Sequence, residues 1–150
     1  MLLIAVGALA VVFVVVVLTV GLRRRKDARE FEAHSVDVEL LHKLMETDQA
    51  VRLFDVRQPL DLLAYSEMIP GARRLAPKEV KANPELIPRD SDVVLYCTCD
   101  GQKTSLEIMR EAKKLGYSRL KVLRGGLAAW KAKGYPVEIY RESFRLDTAV

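Results

Sequence analysis

Two cysteines stand one residue apart in the stretch VVLYCTCDGQKTS, Val93 to Ser105, and the chain has no others. A thiolate is a strong nucleophile and a metal ligand once its pKa is brought toward neutrality. The surroundings of Cys97 suit the first role. It follows the apolar run DVVLY, and a short polar loop leads from it into a helix that starts near Thr104. At a helix start several backbone N–H groups lack an intrahelical partner, and their dipoles favour a thiolate or another anion. Gly101 permits a tight loop backbone. Zinc fits poorly: it needs four ligands, and the only histidines, His34 and His42, lie far upstream without finger-like spacing. Neither a metal nor a cofactor is expected.

The elements that must hold this loop alternate in type. A short edge strand ends near Val36, and a helix capped by Asp37 follows, with Leu40, Leu41 and Leu44 on one face. VRLFDVR (Val51 to Arg57) reads as a strand, PLDLLAYSEM as a helix, IPGA (Ile69 to Ala72) as a turn, and PKEVKANPEL as a short helix interrupted before Pro84. DVVLYC is apolar nearly throughout, as a strand buried on both faces should be. In TSLEIMREAKKLG, Thr104 and Glu107 form a capping-box pattern, and Leu106, Met109, Ala112 and Leu115 form the inward stripe. Gly116 stands where a left-handed cap belongs. The strand RLKVL, two glycines and the helix LAAWKAK complete the set. The pattern predicts an α/β fold: a parallel sheet flanked by helices on both faces, with its site beyond the carboxyl ends of the strands.

These fragments, in this order and spacing, resemble the rhodanese family: FDVR, IPGA, VVLYC running into a loop and helix, LGY, and LRGGLAAWKAKGYPV. The resemblance covers roughly Ser35 to Glu138. Within the family the chain is similar to bacterial membrane-associated rhodanese-like proteins, including domains appended to multi-pass proteins of the DedA type. It implies a sulfurtransferase. A cysteine takes the outer sulfur of a donor such as thiosulfate, holds it as a persulfide, and passes it to a thiol acceptor or cyanide.

The resemblance also marks departures. Active relatives carry a loop of six residues from the cysteine through an arginine, followed by Ser or Thr. Counted from Cys97, the seventh residue is Lys103 and Thr104 follows; counted from Cys99, the sixth is Thr104 and Ser105 follows. The first register keeps a cation and places the cysteine at the strand's end, so we favour Cys97 as nucleophile, with Cys99 as the alternative nucleophile or a resolving thiol. Asp100, Gly101, Gln102, Lys103, Thr104 and Ser105 then line the substrate. Lysine gives a point charge where arginine gives a planar fork, and Asp100 opposes thiolate formation. Phosphatase chemistry, which needs the arginine, is not expected. The alternative reading is an impaired rhodanese-fold module that senses redox state or docks a membrane partner. Cys97 as an ordinary buried cysteine is the plainest reading of all. Asp55 and Arg57 read as a structural pair, and Trp130 as core.

At the other end of the chain, residues 2–22 carry no charge. As a helix they would be about 30 Å long, enough to cross a bilayer. Arg23, Arg24, Arg25 and Lys26 follow and equal the whole net charge of +4, so the basic pI argues for anionic headgroups rather than nucleic acid. The positive-inside rule puts the N-terminus outside and the remainder in the cytosol, at the inner membrane if the source is bacterial. The expected organisation is a transmembrane helix over 1–22, a charged linker over 23–34, the rhodanese-like domain over 35–138 and a tail over 139–150. The partners implied are a small sulfur donor, a thiol acceptor and the bilayer, with a membrane protein left open. Donor, acceptor and oligomeric state are not legible.

Overall fold

The computed structural model describes residues 2–47, 50–98 and 103–141, and it divides into two compact units, Met1–Ala33 and His34–Val150. The first is helical. Helix α1 runs from Leu2 to His34 without a break, so the charged stretch expected as a linker is helix as well. Its described side chains begin at Val11, and those from Val11 to Val20 are exposed although none is charged. Among the described residues, no helix is long and apolar enough to cross a membrane.

The second unit is built on a five-stranded parallel sheet. Its strands are β1 (Ser35–Val36), β2 (Val51–Asp55), β4 (Arg73–Arg74), β5 (Asp92–Tyr96) and β6 (Leu120–Leu123). Their order across the sheet is β1-β6-β5-β2-β4, which leaves β1 at an edge as expected. β5 lies at the centre, and Val93, Val94, Leu95 and Tyr96 are all buried. Alternation sends Val94 and Tyr96 to one face, where they meet Val38 and Leu41 of helix α2 (Val38–Glu46) and Leu127 and Trp130 of helix α6 (Gly126–Ala132). Val93 and Leu95 take the other face, with helix α5 (Lys103–Lys114) packed along β5 and β6 and against helix α4 (Pro77–Ala82). Helices thus cover both faces.

Several local expectations shift. Helix α3 is only Pro59–Ala64, and Glu67–Met68 form strand β3, which pairs antiparallel with β7 (Glu138–Ile139). The segment before the IPGA turn therefore pairs with the last described strand rather than prolonging a helix. In α2 the buried residues are Val38 and Leu41, while Leu40 is 48% exposed; the inward face lies one step round from the one expected. Asp37 is the N-cap of α2 but makes no side-chain cap bond, because its carboxylate lies 3.3 Å from Arg124 Nε. Likewise Leu115 lies beyond the end of α5 and is 46% exposed. Gly116 does adopt the left-handed conformation, with φ of +88°.

Candidate active site at the carboxyl edge of the sheet

Parallel strands deliver their last residues to one edge, and here that edge gathers Cys97, Asp55, Arg57, Arg74 and Arg124. The hydrogen-bond ladder continues past the strand ends. Val56 N–H donates to Tyr96 carbonyl (2.9 Å), Leu75 N–H to Asp55 carbonyl (3.0 Å), and Arg124 N–H to Val36 carbonyl (2.9 Å). The edge is therefore set by backbone as well as by side chains.

Cys97 is buried, with 2% of its surface exposed. Its carbonyl accepts the N–H of Leu127 at 3.4 Å, from the first turn of α6. The close approach depends on Gly126, whose φ is +53° and where a Cβ would stand 2.0 Å from the Cys97 carbonyl oxygen. Only glycine fits there, for space and for backbone. Gly125 is held in the same way: φ is +73°, and a Cβ would meet that of Ala129 at 2.4 Å. Gly126 thus seats the residue that carries the thiol, while Gly125 makes room for Ala129 of α6.

Of the expected site residues, Cys99, Asp100, Gly101 and Gln102 lie outside the described residues. Lys103 is the first residue of α5 and is exposed. Thr104 stands inside the helix rather than at its cap, and Glu107, expected to close a capping box, pairs with Lys81 at 3.1 Å instead. Ser105 is fully buried, and its Oγ has no hydrogen-bond partner among the described residues. A buried hydroxyl of this kind normally finds an acceptor or donor. Among the described residues no three His, Cys, Asp or Glu side chains gather closely enough to hold a metal ion.

Next to the thiol strand stands a fully buried polar brace. Arg57 Nε donates to both carboxylate oxygens of Asp55, at 2.9 and 2.8 Å, and its Nη groups donate to the carbonyls of Tyr65 (2.7 Å) and Glu67 (2.9 Å). The Asp55 carboxylate also accepts the Arg57 N–H at 3.0 Å. On the neighbouring strand Tyr96 accepts the N–H of Ile69 at 3.3 Å, within reach of the Asp55 charge. Burial first, and then the Asp55 charge, push the Tyr96 phenol far above its ordinary range, so it stays protonated. The brace ties β2, β3 and the IPGA turn to the residue that precedes Cys97. The structural role expected for Asp55 and Arg57 is what the contacts describe.

Two residues at this edge escaped the reading of the sequence. Arg74 follows the IPGA turn in a basic pair that offered no motif, and Arg124 precedes the two glycines. Arg124 donates from Nη2 to Ser35 Oγ at 2.8 Å and reaches Asp37, so it ties β1 to β6.

The rhodanese-like domain profile matches residues 37–133, and the chain belongs to the rhodanese-like domain family. A sulfurtransferase from Allochromatium vinosum is 32% identical over 104 residues, covering 69% of this chain and 94% of its own length. Among solved structures, the Alr3790 protein of Anabaena sp. is 28% identical with a TM-score of 0.58, over 69% of this chain and 81% of that one. A rhodanese-related protein from Thermoplasma volcanium shares the fold, with 22% identity and a TM-score of 0.59, over 70% of this chain and 97% of that one. The family match and the relative together support a function of the sulfurtransferase class.

Proposed function

We propose that the protein is a membrane-anchored sulfurtransferase in which Cys97 carries sulfur as a persulfide. One observation carries the reading: the cysteine at the carboxyl end of the central strand is locked from below by the backbone of Gly126 and Leu127. An ordinary core cysteine needs no such seat. In the reaction, the Cys97 thiolate attacks the outer sulfur of a donor such as thiosulfate, and sulfite leaves with the electrons of the broken S–S bond. A thiol acceptor or cyanide then attacks the outer sulfur of the persulfide and restores the thiolate. The free N–H groups at the start of a helix favour each anionic state along this path. Lys103, Thr104 and Ser105 on the first turn of α5 would contact the donor, with Asp100, Gly101 and Gln102 completing the loop and Cys99 able to relay the sulfur.

The rate of thiocyanate formation from thiosulfate and cyanide tests this. Cys97→Ser should abolish it, and Cys99→Ser should reduce it only in part. Loss in Cys99→Ser alone, with Cys97→Ser active, would move the nucleophile to Cys99. One feature favours a second reading. The basic position of the loop is an exposed lysine, so the domain would serve as a redox-sensing or docking module if neither variant differs from an inactive wild type.

Residues 2–22 anchor the chain in this proposal, supported by the uncharged, exposed row of α1 side chains from Val11 to Val20 that ends before Arg23. The basic residues would meet anionic headgroups, leaving the N-terminus outside and the domain in the cytosol. Carbonate-resistant sedimentation with membranes is expected for the full chain, and release by carbonate would contradict it. A reporter fused after Val150 should be active on the cytosolic side only.

A further inference from the structure

Arg74 has no part in the chemistry described so far, and its setting is unusual for a structural arginine. It closes β4 level with Asp55 and Tyr96. Its Nη1 donates to the carbonyls of Asp55 (2.9 Å) and Leu75 (2.7 Å), so backbone fixes the guanidinium. No carboxylate among the described residues pairs with it. Asp55 is engaged by Arg57, and the Glu79 carboxylate turns to the Ala76 N–H at 3.0 Å. Nε and Nη2 take no partner among the described residues and are not enclosed. Asp55, Arg57 and Arg74 therefore leave one positive charge in excess at the edge where Cys97 ends its strand.

The energetics are those of a site waiting for an anion. Burial pulls the Arg74 pKa below its ordinary value; Asp55 opposes this most, with Tyr140 and Glu79, while Arg57 adds to it. The group still stays charged at neutral pH, so a partly desolvated cation is held beside one of like sign. A carbonyl clip alone would occupy only Nη1. The planar fork left over suits a carboxylate.

Distance decides which anion. Two strand spacings separate β4 from β5, so the backbone of Arg74 lies roughly 10 Å across the sheet from that of Tyr96, the residue before Cys97. A thiosulfate sulfur seated on Cys97 lies only about 2 Å from the sulfur that bears its oxygens, so they fall short. A longer donor does not. We propose that Arg74 binds the carboxylate of an extended organic persulfide, of small-peptide size, whose outer sulfur reaches Cys97. The proposal rests on the reading of Cys97 as sulfur carrier. The thiolate of Cys97 attacks the outer sulfur of R–S–SH, the donor's S–S bond breaks, and R–S⁻ leaves. The proton stays on the transferred sulfur, giving Cys97–S–SH.

The full-length protein can be assayed with three donors: glutathione persulfide, which carries carboxylates, 2-hydroxyethyl persulfide, which has none, and thiosulfate. Arg74→Gln should raise KM for glutathione persulfide about tenfold, the worth of one charge-assisted hydrogen bond. Its kcat should hold within about twofold, and KM for the other two donors should not move. Arg74→Lys should fall between. An equal loss with all three donors would reduce Arg74 to a structural clip, and no change with any would remove it from the site; either overturns the proposal. If the wild type takes sulfur from none of them, the transferase reading fails, and calorimetry still reads Arg74. Glutathione should bind full-length Cys97→Ser about tenfold more tightly than Cys97→Ser/Arg74→Gln, and equal affinities would overturn the assignment.

Discussion

Two neighbouring strands end at the same edge of the sheet and are secured by opposite means. The end of β2 is held by side chains, with Arg57 clasping Asp55 and two carbonyls in a pocket sealed from solvent. The end of β5 is held by backbone, with the Cys97 carbonyl seated against a glycine whose hydrogen could be no larger group. A side-chain brace can be strong and distant from chemistry. A backbone seat fixes the strand end through the carbonyl alone. In the proposed reaction, one strand supplies rigidity and the other the thiol.

The contrast can be broken from either side. Arg57→Leu leaves the Asp55 carboxylate buried without its cation, and should cost about 4 kcal/mol of stability. Urea unfolding would show it, and sulfur loading at low temperature should persist in whatever fraction remains folded. Gly126→Ala forces a methyl onto the Cys97 carbonyl at a left-handed backbone position, and should cost about 3 kcal/mol. Unlike Arg57→Leu, it should lower loading even in the folded fraction, because the strand end carrying the thiol must move. If Gly126→Ala loads sulfur as the wild type does, the seat has no bearing on reactivity. Tyr96→Phe sharpens the comparison. It removes the buried hydroxyl that accepts the Ile69 N–H, and about 1 kcal/mol of stability should go with it.

The smallest effect lies at the opposite end of β5. The Asp92 carboxyl is held below its ordinary value of 3.8, chiefly by the hydrogen bonds from Arg119. A carboxyl with a lowered folded pKa stabilises above the unfolded value, and that contribution fades as pH falls through the folded one. Thermal unfolding should therefore separate wild type from Arg119→Ala slightly at pH 7 and by less as pH falls below the ordinary carboxyl value, with no effect on sulfur loading at neutral pH. Both groups are exposed, so the difference should shrink with added salt.

How much of this was legible in the sequence follows the range of the forces involved. The continuous apolar run of β5 and the IPGA and RGG turns are local signals, and they predict the strand–helix order and the parallel sheet. The inward faces of α2 and α5 were misjudged at Leu40 and Leu115, since periodicity alone does not say where a helix stops or which flank meets the sheet. Thr104 and Glu107 matched a capping pattern, yet Glu107 is drawn to Lys81 from a helix remote in sequence. Arg74 gave no signal because its meaning depends on register: only pairing of β4 with β2 sets it beside Asp55. Gly126 was visible as a glycine, but the carbonyl it admits comes from Cys97, far back along the chain.

The central claim is that Cys97 carries the sulfur, and the most direct test is a mass measurement. Reduced full-length protein would be incubated with thiosulfate and, separately, with glutathione persulfide, then weighed intact and mapped by peptide. One added sulfur atom, located on Cys97 and removed by a thiol acceptor, is the predicted result. Sulfur found on Cys99 alone, or on neither cysteine with either donor, would contradict it.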